Sequence, residues 1–178
     1  VCFQPHIVYL ANSSALKIGI TRIVNMPTRW LDQGATQALP ILKVGSRRLS
    51  GHLETLIGTQ IADKTDWRKL LKGEAEPLNL IEQRDQILEE FAPKIQTIRD
   101  EFSQNLEFNE NLEFLENELP REFIYPVEQY PEKIKSLNLD KTPKIRGVLQ
   151  GIKGQYLLLD IGVINIRKYT GYELILRA

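Results

Sequence analysis

The chain has 178 residues, of which 42% are hydrophobic and 26% charged, and its 23 Lys and Arg residues balance its 23 Asp and Glu residues. These values are ordinary for a soluble globular protein of one or two domains that can bury a core. No apolar run reaches the roughly 18–20 residues of a membrane helix, and the single cysteine, Cys2, excludes an internal disulfide framework, so we expect a cytoplasmic protein.

The N-terminal segment predicts a β-hairpin followed by a short helix. Residues 7–12 and 16–21 are short apolar and β-branched runs on either side of a polar turn. Pro27 suits the first turn of a helix over residues 28–33, and Gly34 ends that helix.

Further elements follow at regular intervals. Residues 38–44 predict a third strand, and Pro40 indicates that this strand lies at a sheet edge or contains a bulge. From Ser50 the apolar residues recur at helical spacing, and a second short helix is predicted to end at Gly73. Residues 78–102 carry one apolar stripe through a charged helix.

The middle and the last third of the chain differ in character. The acidic run over residues 107–118 is interpreted as a solvated helix face or a loop. Regularly spaced glycines separate β-rich runs over residues 144–176, which predicts a small antiparallel meander with tight turns. Its basic and aromatic residues, including Arg167 and Tyr169, could form a second surface for single-stranded nucleic acid. The fold class is therefore predicted to be α+β.

Charge divides the chain into three predicted parts. Residues 1–73 contain 10 Lys and Arg against 4 Asp and Glu, residues 74–122 contain 4 against 14, and residues 123–178 contain 9 against 5. A basic first domain suits a polyanion, whereas in the alternative reading the acidic helical segment neutralises it by packing on it. The third part is predicted to be an antiparallel β subdomain that packs on the rest.

Two strings near the N-terminus, HIVYLAN and LKIGITR, resemble the GIY-YIG nuclease superfamily. The resemblance implies a three-stranded antiparallel sheet with flanking helices, in which Gly19 is the glycine of the second strand. It also implies that Arg29 is the helix arginine and Glu54 the metal-binding glutamate. The longer pattern from HIVYLAN through PTRWLDQGA to GIKGQYL resembles an uncharacterised bacterial family of unknown function, whose members carry an upstream cysteine-rich segment.

The chain departs from the superfamily at its two tyrosines. Val8 and Lys17 stand at those positions. Tyr9 is one residue further on, and strand alternation points it to the opposite face from Val8. The usual activation of a water nucleophile is therefore in question.

The resemblance implies a mechanism for the remaining residues. Glu54 would hold one divalent cation, Mg²⁺ or Mn²⁺, and the substrate's oxygens would complete its coordination. Arg29 would clamp the phosphate, Lys17 would add charge, and Tyr9 or His6 would position water or act as base. Further nucleic-acid contacts are predicted at Arg22, Lys43, Arg47 and Arg48.

Each of these residues also has a structural explanation. Tyr9 could be a core aromatic, and Arg29 with Glu54 could form an ion pair between helices. We predict nucleic-acid binding with metal-dependent phosphodiester cleavage. The alternative is a non-catalytic domain that binds nucleic acid or a protein partner, with Zn²⁺ held only by an upstream cysteine-rich segment. An enzyme acting on a small phosphorylated molecule is the third class.

Overall fold

A computed structural model describes residues 4–61, 66–103 and 111–177, and its architecture is α+β. In chain order, the strands and helices are β1 (His6–Asn12), β2 (Leu16–Arg22), α1 (Thr28–Asp32), β3 (Gln37–Val44), α2 (Arg47–Ile57), α3 (Trp67–Leu70), α4 (Leu80–Ser103), β4 (Leu112–Phe114), β5 (Arg121–Glu122), β6 (Leu149–Lys153), β7 (Tyr156–Leu159) and β8 (Gly162–Asn165). Short 3-10 helices follow β2 and β8, at Ile23–Asn25 and Ile166–Tyr169.

The larger sheet is antiparallel and contains the three strands that the sequence predicted. Its order is β2-β1-β3-β4. The strand β4 pairs with the C-terminal end of β3, and β5 pairs with the N-terminal end of β3. Val8 pairs with Leu42 and Tyr9 with Pro40, so Ile41 is an extra residue opposite β1. The predicted bulge is confirmed, and it accommodates a residue without an N–H donor inside a paired strand.

The two faces of this sheet pack against different elements. Val8 and Leu10 point into the main core, beneath α2 and α4. Tyr9 and Ile7 point to the other face, where Trp30 of α1 covers them. The predicted orientation of Tyr9 away from Val8 is therefore confirmed, and α1 and α2 lie on opposite sides of the sheet.

The prediction of a helix face or loop over residues 107–118 is wrong for residues 112–114, whereas residue 111 and residues 115–118 form a loop as predicted. Residues 112–114 form β4, which pairs with β3, whereas residues 107–110 lie outside the described residues. Leu112 is buried and Glu113 is exposed, which is the alternation of a half-buried strand. The acidic composition masked this pattern, since three residues are too few to show a period clearly.

The helices agree with the predicted positions but differ at their ends. The α2 helix begins one turn before Ser50, because the Ser46 side chain accepts a hydrogen bond from the Leu49 N–H and caps it. The α4 helix has 24 residues, contains Pro93 and carries charged residues along its length. Among the described residues, no helix is both long and apolar enough to cross a membrane.

The predicted C-terminal meander is confirmed as an antiparallel sheet with the order β6-β7-β8. Its buried face forms a small core with Leu70, the last residue of α3, and with Leu71, which follows it. Trp67 stacks on Tyr156, with ring centroids 6.1 Å apart and an interplanar angle of 8°. The meander therefore packs on the N-terminal region, while the division of the chain into three domains stays a prediction.

A buried lysine joins these regions. Lys153 of β6 is fully buried, and its Nζ donates to the Gly73 carbonyl at 2.7 Å and to the Tyr130 hydroxyl at 3.3 Å. Burial lowers the pKa of Lys153, because a charged amine is poorly solvated there. The first bond connects the meander to the segment after α3, and the second connects it to the segment between β5 and β6.

We expect Lys153→Met to lower the free energy of unfolding by about 1–3 kcal/mol, because it removes both hydrogen bonds while preserving most of the side-chain volume. Urea unfolding followed by circular dichroism measures the change. Lys168→Met is the matched control, since Lys168 is exposed. Equal stabilities of the two variants would contradict this role.

Candidate phosphate-binding site

Four of the predicted site residues converge at the β1–β2 side of the sheet. Tyr9 and Lys17 lie on the same face, since Lys17 pairs with Ala11 and Gly19 with Tyr9. Arg29 comes from α1, which covers that face, and its charge acts on both Tyr9 and Lys17. Glu54 comes from α2, and its charge also acts on Tyr9. Arg29 and Lys17 thus lie on the Tyr9 face of the sheet, whereas Glu54 belongs to a helix that packs on the opposite face and acts on Tyr9 through its charge.

Tyr9 lies at the base of this cluster. Its side chain is fully buried, and its hydroxyl donates to Gln33 Oε1 at 3.2 Å. Its ring meets Trp30 edge to face at 5.7 Å. Burial raises the pKa of Tyr9, the Arg29 guanidinium opposes this effect, and the Glu54 carboxylate adds to it. The phenol therefore stays protonated at neutral pH and is suited to holding Gln33 and Arg29 in place.

Lys17 is the group of the cluster that titrates closest to neutrality. Its side chain is 5% exposed. Burial, together with repulsion from Arg29, lowers the pKa of Lys17 to about 8. A bound anion favours the protonated amine, so anion affinity is tied to this titration.

We expect nucleic-acid affinity to fall about 5-fold between pH 7.5 and 9.5, as Lys17 loses its proton while the arginines stay charged. Fluorescence anisotropy titrations across this range measure the change. In the control variant Lys17→Met, the affinity is expected to be lower at pH 7.5 and to stay nearly constant. A wild-type affinity that does not change with pH would contradict a contribution of the Lys17 charge to binding.

Three arginines surround an open groove beside this cluster. The groove has a volume of about 420 Å³, and Arg29 of α1, Arg22 at the end of β2 and Arg47 at the start of α2 line it. Its remaining lining residues are His6, Ile20, Thr21 and Asn25. None of these described lining residues is acidic. We call this feature the arginine groove, and its planar, permanently charged donors suit phosphate oxygens.

The structure separates the other predicted basic contacts from the arginine groove. Lys43 donates to Glu113 Oε2 of β4 at 3.0 Å. Arg48 lies over the Phe102 ring of α4, 5.3 Å from its centroid. Of the cluster Lys43, Arg47 and Arg48, only Arg47 lines the groove. Arg48 points away from it because successive helical residues point about 100° apart.

Two polar lining residues were not predicted from the sequence, and part of the predicted surface on the meander lies beside Arg29. Asn25 lines the arginine groove, and Gln155 lies in a recess of about 180 Å³ that Arg29 and Arg167 share. Of the second predicted surface, Arg167 thus lies next to Arg29, whereas Tyr169 is buried and its hydroxyl accepts a hydrogen bond from the Leu139 N–H. Gln155 follows Gly154 in the β6–β7 turn, and only the docking of the meander brings that turn to α1.

The donor set limits how a metal ion could be held. Among the described residues, no three His, Cys, Asp or Glu side chains are grouped so that they could hold an ion. Glu54 is the predicted carboxylate ligand, and its charge acts on Tyr9, as does that of Arg29. This set fits Mg²⁺ or Mn²⁺ only with substrate oxygens and waters as the other ligands, as Mg²⁺ sites with few carboxylates use them.

Comparison with protein-family models matches residues 1–174 to DUF2797, described as a protein of unknown function. The chain belongs to this family. The match confirms the expected family of unknown function and includes the main sheet, α4 and the meander of this DUF2797 protein. No curated protein and no solved structure matches the chain.

Proposed function

We propose that this DUF2797 protein binds the phosphodiester backbone of nucleic acid in the arginine groove. The observation that carries the proposal is the grouping of Arg22, Arg29 and Arg47, from three separate elements, around one open groove without an acidic lining residue. Phosphate contacts by arginine dominate nucleic-acid affinity, and the excess of Lys and Arg over residues 1–73 adds to the local potential.

We further propose that residues 6–57 form a diverged GIY-YIG-like unit. The antiparallel strands β1, β2 and β3, with α1 and α2 on opposite faces, support this relationship. The pairing of Gly19 with Tyr9 supports it as well, since a Cβ on Gly19 would lie 2.7 Å from the Tyr9 ring. A tyrosine and a glycine are thus kept in contact although the residues at 8 and 17 differ from the superfamily.

Metal-dependent cleavage is the second candidate function, and the placement of Arg29 close to Tyr9 and Lys17, with the Glu54 charge also acting on Tyr9, favours it. A divalent cation bound by Glu54 and the substrate would polarise the scissile phosphate. Arg29 would bind the phosphate oxygens and stabilise the charge that develops on them. Tyr9 would position Arg29 and Gln33 from below, and Lys17 would add charge or exchange a proton near pH 8.

One experiment separates these functions. The purified protein is incubated with labelled single-stranded, duplex and branched DNA and RNA, with and without Mg²⁺ or Mn²⁺. Wild type is compared with Glu54→Gln, which preserves shape but removes the charge. Cleavage that needs the cation and disappears in Glu54→Gln supports the nuclease.

The remaining outcomes also decide the matter. Salt-sensitive binding that survives in Glu54→Gln, without cleavage by either protein, supports a binding module. Absence of both activities contradicts the proposed function and favours a protein partner or a small phosphorylated ligand.

A further inference from the structure

A second groove opens beside the arginine groove, between α1 and the meander. Its volume is about 720 Å³, within the ~300–1,000 Å³ of small-molecule sites. Arg29 and Asn25 line both grooves, so the two grooves adjoin at these residues. We call the second feature the α1–meander groove.

The wall of the α1–meander groove is apolar and exposed. Val24 is 77% exposed, Ile152 41% and Ile166 38%, and all three line the groove together with part of Tyr156. Exposed aliphatic side chains that line one concavity mark a binding surface better than scattered ones do. This chemistry suits the flat face of an aromatic ligand and not a phosphate.

The polar lining of the groove points to the same ligand. Gln155 and Asn25 offer amide donors and acceptors, Arg29 and Arg167 are the cations, and Asp32 is the acidic group among the described lining residues. A carboxylate disfavours a phosphate in the groove but accepts hydrogen bonds from the ring N–H and amino groups of a nucleobase. Arg29 and Arg167 therefore suit phosphate oxygens, while Asp32, the amides and the aliphatic wall suit a neutral ring.

Two close contacts fix the chain on the far side of the groove against the end of α1. Gly154, in the β6–β7 turn, has a φ of +58°, and a Cβ there would lie 2.9 Å from the Gly34 nitrogen. The Tyr125 hydroxyl lies 2.9 Å from the Ala35 carbonyl oxygen and 3.2 Å from that of Leu31. The first contact holds the meander against the end of α1, and the second holds the segment before the meander there.

We propose that the α1–meander groove takes one unpaired nucleobase of a strand whose phosphate binds Arg29. The inference rests on the proposed function and names its substrate class, a single strand or a strand with an unstacked nucleotide. In a duplex the base would remain paired and could not enter a groove lined by aliphatic side chains. The neighbouring arginine groove binds the next phosphate, which favours a strand over a free mononucleotide.

The test compares four ligands by fluorescence anisotropy or competition. They are a single-stranded oligonucleotide, the matching blunt duplex, the same strand with abasic sites and free mononucleotide. We expect the single strand to bind about 10-fold more tightly than the duplex or the abasic strand, and far more tightly than the mononucleotide.

Variants then assign the preference to the groove. The double variant Val24→Gln with Ile152→Gln is expected to bind the intact and abasic strands equally, with its salt dependence unchanged. Ile175→Gln is the matched control, since Ile175 is 79% exposed and does not line the groove.

Failure of the inference differs from failure of the proposed function. Equal, salt-sensitive binding of single, abasic and duplex strands overturns base recognition but leaves phosphate binding intact. Equal affinity for the mononucleotide and the strand overturns the choice of a strand. Absence of binding to all four ligands overturns both proposals.

Discussion

Replacing Arg29 with Ala is expected to weaken nucleic-acid binding by about 10–100-fold and, where cleavage occurs, to lower its rate by about 10²–10³-fold. Arg29 lines the arginine groove, the α1–meander groove and the smaller recess that it shares with Arg167. Among the described residues, Arg29 is the only one that lines all three of these surfaces. Equilibrium binding and single-turnover cleavage measure the two effects.

The Arg29 prediction has two controls. Arg29→Lys keeps the charge but loses the planar pair of donors, and we expect it to recover part of the affinity and little of the cleavage. Arg99→Ala removes an exposed arginine of α4 and should leave both unchanged. A wild-type affinity in Arg29→Ala, with an intact circular dichroism spectrum, would contradict the assigned role.

Replacing Gly19 with Ala is expected to lower the free energy of unfolding by about 1–3 kcal/mol, as overpacking of a core does. The added Cβ would lie 2.7 Å from the Cζ and hydroxyl of Tyr9. The Tyr9 ring cannot easily move, because it is fully buried and packs against Trp30. Chemical denaturation measures the loss, and displacement of Tyr9 should also weaken binding through Arg29.

A double-mutant cycle isolates this contact. Tyr9→Leu removes the aromatic ring and its hydroxyl, including the atoms closest to Gly19, so Gly19→Ala should cost much less in that background. Gly51→Ala is a comparison at a half-buried position of α2, where the nearest atom outside the local helix backbone is the end of the Arg47 side chain. An equal cost of Gly19→Ala with and without Tyr9 would show that the glycine serves another purpose.

Local signals account for most of the fold that the sequence predicted. The alternation around the polar turn predicted β1 and β2, and Pro27 with Gly34 bounded α1. Pro40 predicted the bulge that the pairing of β1 with β3 confirms. The strand β4 was not predicted, because its pairing with β3 joins residues about 70 positions apart and its three residues carry no clear period.

The site was predicted less completely than the fold. The resemblance named Arg29 and Glu54, and the structure brings both near Tyr9. Composition alone could not separate Arg47 from Lys43 and Arg48, since Glu113 and Phe102, which contact the latter two, come from distant elements. The approach of Gln155 and Arg167 to Arg29 depends on how the meander docks, which no local pattern encodes.

The salt dependence of binding tests the central claim most directly. The affinity of wild type for a single-stranded oligonucleotide is measured from about 50 to 200 mM salt, beside a variant in which Arg22, Arg29 and Arg47 are all replaced by Gln. We predict a steep loss of affinity with salt for wild type, and a log–log slope about 2 units shallower for the triple variant, since each lost phosphate contact contributes about 0.7. Equal slopes for the two proteins, or no binding by wild type at the lowest salt, would contradict the account.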